Sequence, residues 1–255
     1  MRLLILILFL PSFLNTGFIS SDNKPGSANK ISCISSHQNI NTDTTYLAPV
    51  LAELRKKWPD NKIINLVFHG HSVPAGYFKT PAIHTFQAYP MLVLKKVTDS
   101  FPTASINCIR TAIGGENAEQ GAKRFDSTVL SHHPDVLFID YALNDRSIGV
   151  ERAQAAWESM IQKALDQNIK VVVLTPTPDL NENILSDDAP LEKFSEMIRM
   201  LAEKYHVALV DSYQVFKTLV ADGADLKTFM AQPNHINQDG HKLVANEIGN
   251  LFGLK

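Results

Sequence analysis

The chain is 255 residues long, 45% of its residues are hydrophobic, 20% are charged, and its formal net charge is −2. This length and composition suit one α/β domain with a sizeable core, preceded by a removable N-terminal segment. The nearly balanced charge disfavours a protein that depends on broad electrostatic attraction to nucleic acid or to an anionic membrane. We therefore expect a small or neutral molecule as the partner, and no nucleic acid.

The N-terminus has the pattern of a secretory signal peptide. Arg2 precedes an apolar run over residues 3–10, and a proline and small polar residues follow. The run is far shorter than the roughly 20 residues needed to span a bilayer, which disfavours a membrane anchor. We predict that residues 1–21 are a signal peptide and that the mature protein is secreted or periplasmic, without stable membrane insertion.

The segment after the signal peptide is rich in Ser, Asn and Gly, and we expect residues 22–60 to be a polar leader followed by a first helix. Residues 61–255 then form the main domain. Only two cysteines occur, Cys33 in the leader and Cys108 in an apolar run, so a disulfide framework does not hold this fold together. One bridge between them and two separate thiols are both open.

The main domain alternates between two patterns. Five short runs rich in aliphatic and β-branched residues have the character of buried strands: residues 63–69, 104–110, 135–143, 170–176 and 207–211. Amphipathic segments with helical periodicity follow them, at residues 85–100, 118–131, 151–167, 191–205 and 240–251. Apolar strands joined by crossover helices form a parallel sheet that is covered on both faces. The prediction is an α/β fold, namely a three-layer α/β/α sandwich with a five-stranded parallel sheet of flavodoxin-like type.

Polar residues stand out where these strands end, which is the edge at which such folds bind ligands. Ser72 follows the first strand, after Gly70, which allows a tight turn that presents the hydroxyl. His235 precedes the last helix, where an imidazole could take a proton from that serine. Gly115 and Asn144 supply a backbone and a side-chain amide, the donors that stabilise an oxyanion. Each residue alone also has an ordinary structural interpretation in a loop or cap, so their combination carries the hypothesis.

The order and context of these residues resemble the SGNH/GDSL hydrolases, whose four motifs carry Ser, Gly, Asn and His. The resemblance covers about residues 63–251. The motifs stand in this chain as Gly70-His71-Ser72, Gly115 in AIGGEN, Ala142-Leu143-Asn144-Asp145, and Pro233-Asn234-His235 followed by Gly240-His241. The resemblance implies that Ser72 attacks an ester and His235 accepts its proton. It also implies an oxyanion hole made of the amides of Ser72 and Gly115 and the side chain of Asn144.

Gln232 departs from the family pattern, because the family has at this position the acid that orients the histidine. An amide can accept a hydrogen bond but cannot neutralise an imidazolium. Gln232 is therefore a candidate to orient His235, and Asp239, Asn234 or a backbone carbonyl are the alternatives. If the missing carboxylate limits the rate, Gln232→Asp raises the activity.

His71 is a second departure, since it replaces the family's aspartate and lies beside His69. Two histidines without a third ligand at a recognisable spacing are weak evidence for a metal, and we expect neither a metal nor a cofactor. Asp145 and Asp211 also lie at strand ends. We expect Asp145 to cap a turn and Asp211 to have a structural part.

The favoured function is hydrolysis of short acyl esters, above all acetyl esters, through a Ser-His acyl-enzyme mechanism. Acetylated carbohydrate is the favoured substrate, because exported members of this family commonly remove such groups. A lysophospholipase or a thioesterase would use the same four residues. A carbohydrate-binding protein that kept the fold and lost turnover is the alternative from another class, and Gln232 keeps it open. A nucleotide-binding protein is disfavoured because no glycine-rich phosphate loop is present.

Overall fold

The structure is a computed structural model that describes residues 45–254. The predicted signal peptide, the polar leader and Cys33 lie outside the described residues. The first helix expected after the leader is present as α1, Ala48–Leu54. No helix within residues 45–254 is long and apolar enough to cross a membrane.

A five-stranded parallel sheet forms the centre of the fold, as predicted. Its strands are β1 (Ile63–Gly70), β2 (Ser105–Arg110), β3 (Val136–Asp140), β4 (Lys170–Leu174) and β5 (Ala208–Val210). They lie in the order β2-β1-β3-β4-β5. β2 thus lies on one side of β1, and the next strand in the chain, β3, lies on the other side. In this flavodoxin-like order, the crevice between β1 and β3 is the topological switch point where ligands bind.

Helices cover both faces of the sheet. After α1 they are α2 (Ser72–Ala75), α3 (Tyr89–Ser100), α4 (Ala118–Lys123), α5 (Phe125–Thr128), α6 (Val150–Leu165), α7 (Pro190–Tyr205), α8 (Ser212–Ala221) and α9 (Gln238–Leu251). Helices α1, α3, α8 and α9 pack on one face and α4 to α7 on the other. Because successive strand residues point to opposite faces, Phe68 packs in the hydrophobic core under α1, α3, α8 and α9. Its neighbour Val67 packs in the core under α4 to α7. The three layers are therefore α/β/α.

Some local elements differ from the prediction. Helix α8 was not expected, and the Asp211 side chain caps it by accepting a hydrogen bond from the Gln214 amide at 3.1 Å. The predicted helix over residues 85–100 breaks at Ala88, whose backbone is extended. Short 3₁₀ turns occupy Thr85–Gln87, Leu130–His132, Asp145–Ser147 and Leu226–Phe229. The predicted helix over residues 118–131 is divided into α4, α5 and one of these turns.

A small antiparallel hairpin, also not predicted, lies before α9. It consists of β6 (Met230–Gln232) and β7 (His235–Ile236). This hairpin carries both Gln232 and His235 to the carboxyl edge of the sheet.

Candidate active site

Ser72 is placed by the sharp turn between β1 and α2. β1 ends at Gly70, and a Cβ atom at that position would lie 2.2 Å from the carbonyl oxygen of Asp140 on the neighbouring β3. Only glycine allows this close approach of the two strand ends. Ser72 is the first residue of α2, so its hydroxyl stands at the switch point between β1 and β3.

His235 reaches Ser72 from the hairpin. Its Nε2 atom lies 2.8 Å from Ser72 Oγ, and its Nδ1 atom lies 3.1 Å from the carbonyl oxygen of Phe78. A carbonyl only accepts hydrogen bonds, so Nδ1 carries the proton and Nε2 presents its lone pair to the serine. This is the tautomer that a general base needs.

The surroundings of His235 favour its neutral form. Burial lowers the pKa of His235 below its ordinary value of 6.5, and the nearby His71 lowers it further. The hydrogen bond to the Phe78 carbonyl acts in the opposite direction, because it stabilises the protonated ring. The imidazole is thus available as a base at neutral pH.

The two candidate oxyanion residues lie beside the serine. Gly115 has φ of +83°, a conformation that favours glycine, and nothing lies within 4 Å of the position of a Cβ atom. Asn144 Nδ2 donates a hydrogen bond to the Glu116 carbonyl at 3.0 Å, which leaves its second hydrogen for a ligand. Within residues 45–254, the amides of Ser72 and Gly115 donate to no other protein group. Three donors are therefore at hand for a developing negative charge.

The loop that holds Gly115 is braced by ionic contacts. Arg124 pairs with Glu116, with 2.5 Å between Nη2 and Oε2, and donates to the Thr111 carbonyl at 2.6 Å. His69 lies beneath this loop, where its Nδ1 contacts Thr111 Oγ1 at 2.8 Å. Burial, the largest cause, lowers the pKa of His69 to about 3, so this histidine is a neutral structural group.

His71 supports the nucleophile turn. Its Nδ1 accepts a hydrogen bond from the Val73 amide at 3.2 Å, so it caps the N-terminus of α2. Nε2 then carries the proton and lies 3.3 Å from Asp140 Oδ1, outside the angle of a good hydrogen bond. Tyr89 donates to the other carboxylate oxygen of Asp140 at 2.9 Å. Position 71, where the family has aspartate, is thus occupied by a buried histidine that lies beside the buried Asp140.

Gln232 does not orient His235 directly. Its Oε1 accepts from the Thr80 amide at 3.0 Å, and its Nε2 donates to Asn234 Oδ1 at 3.0 Å. Asn234 is thereby occupied, and Asp239 pairs with Lys242. Among the alternatives that the sequence left open, the backbone carbonyl is the group that contacts Nδ1. The prediction that Gln232 orients His235 by direct contact is therefore wrong, because its side-chain amide forms hydrogen bonds with Thr80 instead.

The two acids at other strand ends have structural partners. Asp145 accepts hydrogen bonds from the Ala118 amide and from Trp157 Nε1, at 2.7 and 2.9 Å. Asp211 bonds Arg199 and Thr175 in addition to capping α8. Neither acid contacts His235.

Cys108 and the other potential metal ligands add no further centre. The Cys108 thiol donates to the Pro90 carbonyl at 3.5 Å, and burial raises its pKa to about 12. A bridge to Cys33 and two separate thiols both stay open, since Cys33 lies outside the described residues. In the part of the chain that the structure describes, no three His, Cys, Asp or Glu side chains converge as metal ligands.

A cavity of about 330 Å³ opens over the serine. Its lining comprises Ser72, Tyr77, Thr80, Gly114, Gly115, Asn144, Gln232, Asn234 and His235. All four predicted site residues therefore face one space, and among residues 45–254 its lining consists of polar side chains and glycines, without lysine, arginine or carboxylate. Sequence reasoning missed Tyr77 and Thr80, and their only local signal is the turn-rich stretch between two predicted elements. A second cavity of about 300 Å³, between β5, α8 and α9, contains none of the predicted site residues.

Comparisons with known proteins show the family and the fold of the chain. The model of the GDSL-like Lipase/Acylhydrolase family matches residues 68–243. The chain is similar to a two-domain esterase active on acetylated mannans, with a TM-score of 0.69 and 21% identity over 82% of this chain and 53% of that one. It is also similar to Axe2, an acetylxylan esterase from Geobacillus stearothermophilus, with a TM-score of 0.65 and 17% identity over 75% of this chain and 95% of that one.

The chain spans about half the length of the two-domain esterase. At these identities, the structural likeness establishes a common fold. No curated protein matches the chain in sequence.

Proposed function

The chain belongs to the GDSL-like lipase/acylhydrolase family, and from this membership we propose that it removes short acyl groups, above all acetyl, from carbohydrate esters by attack of Ser72. The observation that carries the proposal is the 2.8 Å contact between Ser72 Oγ and His235 Nε2 at the floor of the polar cavity. A serine with an adjacent base is the arrangement that nucleophilic acyl transfer requires.

The reaction proceeds in two halves. Ser72 Oγ bonds to the ester carbonyl carbon while His235 Nε2 takes the hydroxyl proton, and the carbonyl electrons move onto an oxyanion. The amides of Ser72 and Gly115 and the Asn144 side chain stabilise this charge. His235 returns the proton to the departing alcohol oxygen, which leaves an acyl-serine. Water then attacks the acyl carbon with His235 as base, which releases the acid and restores the serine.

The lining of the cavity supports a neutral, hydroxyl-rich alcohol. Amide, hydroxyl and phenol groups surround Ser72, and these hydrogen-bond sugars well. The alternative of a lysophospholipase is less well supported, because no cation from the described part of the chain lines the cavity to pair with a phosphate. The cavity is also at the small end of ligand sites, which are about 300 to 1,000 Å³, and this suits a short acyl group. The two similar esterases act on acetylated mannan and acetylxylan, which supports acetyl as the group removed.

A carbohydrate-binding protein without turnover remains the second candidate, and its basis is Gln232 in place of the family's acid. The Phe78 carbonyl weakens this alternative, because it supplies His235 with a hydrogen-bond partner of the required kind.

The test compares the full mature chain with Ser72→Ala on p-nitrophenyl acetate, butyrate and octanoate, and on acetylated xylan and mannan. We expect acetyl to be the best acyl group, release of acetate from at least one polysaccharide, and a loss of roughly 10⁴-fold or more in the variant. Circular dichroism should show that Ser72→Ala is folded. Equal rates in both proteins would reject the serine mechanism, whereas Ser72-dependent activity restricted to octanoate would reject the acetyl esterase.

A further inference from the structure

The partner of His235 lies on a short segment that the rest of the site must hold in place. This segment, which we call the strap, comprises residues 76–84 and joins α2 to the first 3₁₀ turn. It closes on itself, since the His84 amide donates to the Gly76 carbonyl at 2.8 Å and Phe78 to Ala82 at 3.2 Å. These two hydrogen bonds tie Phe78 to the rest of the strap, so the position of its carbonyl depends on how the strap is held.

One side of the strap is anchored by ring packing. The Phe78 ring stacks on His84, with ring centroids 4.4 Å apart, and on His241 of α9, at 4.9 Å. His241 is fully buried, and its Nδ1 accepts from the Tyr89 amide at 3.2 Å. These contacts fix the side chain of Phe78 but leave the tip of the strap, at Thr80, to other groups.

Gln232 holds this tip. Its Oε1 accepts from the Thr80 amide at 3.0 Å, while its Nε2 lies 3.3 Å from Thr80 Oγ1 and 3.0 Å from Asn234 Oδ1. The amide thus accepts from the strap and donates to the chain that leads into β7. A carboxylate offers only acceptors, so it cannot donate to the Asn234 oxygen. Aspartate is in addition one methylene too short to span the same gap.

We propose that Gln232 is a positioning residue whose hydrogen bonds to Thr80 and Asn234, which we call the clasp, fix the strap. The Phe78 carbonyl thereby replaces the missing acid as the group that orients His235. The proposal rests on the proposed function, because the orientation matters for proton transfer from Ser72. It explains why the family's acid is dispensable here: position 232 faces Thr80, and Nδ1 of His235 is already occupied.

The proposal makes the family residue harmful at this position. Gln232→Asp and Gln232→Ala should both lower kcat by roughly 10-fold to 100-fold, the range expected when a catalytic group is misplaced by up to about 1 Å. KM should change less than threefold. Gln232→Glu keeps the length and the acceptor for the Thr80 amide but loses the donor to Asn234, so its kcat should lie between those of Gln232→Ala and the wild type. Lys79→Ala is the matched control, since Lys79 is exposed on the same strap and its side chain is outside the clasp.

The pH profile separates positioning from a general loss of stability. The Phe78 hydrogen bond stabilises protonated His235, so a loosened strap should move the acid limb of kcat/KM to lower pH. Among the described residues, the other titratable rings near His235 are those of His71, His241 and Tyr77, whose ring centroid lies 6.1 Å from that of His235. None of the three is changed by these variants. The acid limb of Lys79→Ala should stay at the wild-type pH.

Two outcomes overturn the clasp. One is a rise in kcat in Gln232→Asp together with a shift of the acid limb to higher pH, which would make position 232 the acid of the triad. The other is wild-type kcat and acid limb in Gln232→Ala. If the wild type shows no Ser72-dependent hydrolysis, the proposed function fails separately, and the clasp is still decided by NMR. An unchanged His235 ring titration in Gln232→Ala then rejects it, and a lowered pKa supports it.

Discussion

At the scale of single residues, the proposed chemistry depends on the pair of Ser72 and His235, whose unusual feature is the neutral partner of the imidazole. A carboxylate would stabilise the imidazolium that forms during attack, and loss of this acid cost about 10⁴-fold in kcat in a serine protease. A carbonyl still holds the imidazole in the correct orientation and tautomer, but it stabilises the positive charge of the imidazolium less than a carboxylate does. We therefore expect His235 to be a well-placed but weak base.

The pH dependence of the rate measures the pKa of His235 directly. The base must be neutral, and burial holds the pKa of His235 below 6.5, so activity should persist as the pH falls below 6.5 and be lost only when the pH passes the lowered pKa. The measurement is kcat/KM for acetate release between pH 4 and 8, with the Ser72→Ala background subtracted. A midpoint of the acid limb above pH 7 would mean that a negative charge stabilises the imidazolium, contrary to the geometry.

Sequence reasoning could single out the four candidate residues because each lies near a strongly patterned element. Ser72, Gly115 and Asn144 follow β1, β2 and β3, and His235 precedes α9. The partner of His235 could not be chosen from the open alternatives, because a backbone carbonyl has no sequence signature. Phe78 and His235 are 157 positions apart, and only the packed strap brings them together.

Among the elements, the turn after β3 shows how the proposed oxyanion region is built. Asn144 lies at the start of the turn Asp145–Ser147, and the fully buried Asp145 beside it joins two helices. One carboxylate oxygen accepts from the first amide of α4 and the other from Trp157 of α6. Asp145 was expected to cap a turn. It does accept a hydrogen bond from a backbone amide, but this amide is that of Ala118 at the N-terminus of α4.

Removal of this acid should destabilise the fold. Asp145→Ala deletes two hydrogen bonds to a charged group, each worth about 1.5 to 3 kcal/mol and not strictly additive, so we expect a loss of about 2 to 4 kcal/mol in the free energy of unfolding. Urea denaturation at pH 7 measures it. A change below about 0.5 kcal/mol in Asp145→Ala would contradict this account.

The strands were more predictable than the connections for a physical reason. Strands such as β3 and β4 are buried on both faces, which leaves continuous apolar runs in the sequence. The β6–β7 hairpin and the strap are short and depend on contacts with distant parts of the chain. Helix α8 was missed because it is short and follows directly on the strand that was predicted to end at Asp211.

The arrangement of the whole molecule explains why residues so far apart in sequence form one site. The reversal of direction at β1 opens a crevice between β1 and β3, and both strands end there. Ser72 and Asn144 enter the crevice from these two ends, Gly115 from the connection after β2, and His235 from the hairpin before α9. Parallel strands buried between two helical layers hold these ends rigidly, which is what a preorganised oxyanion site requires.

The most direct test of this account is covalent labelling of the native chain with a fluorophosphonate, followed by intact mass measurement and peptide mapping. The account predicts one adduct per chain, located on Ser72, with a much lower rate in His235→Ala and no adduct in Ser72→Ala or in the urea-unfolded protein. An unlabelled native chain under conditions that label a known serine esterase, or an adduct of equal yield in Ser72→Ala, would contradict it.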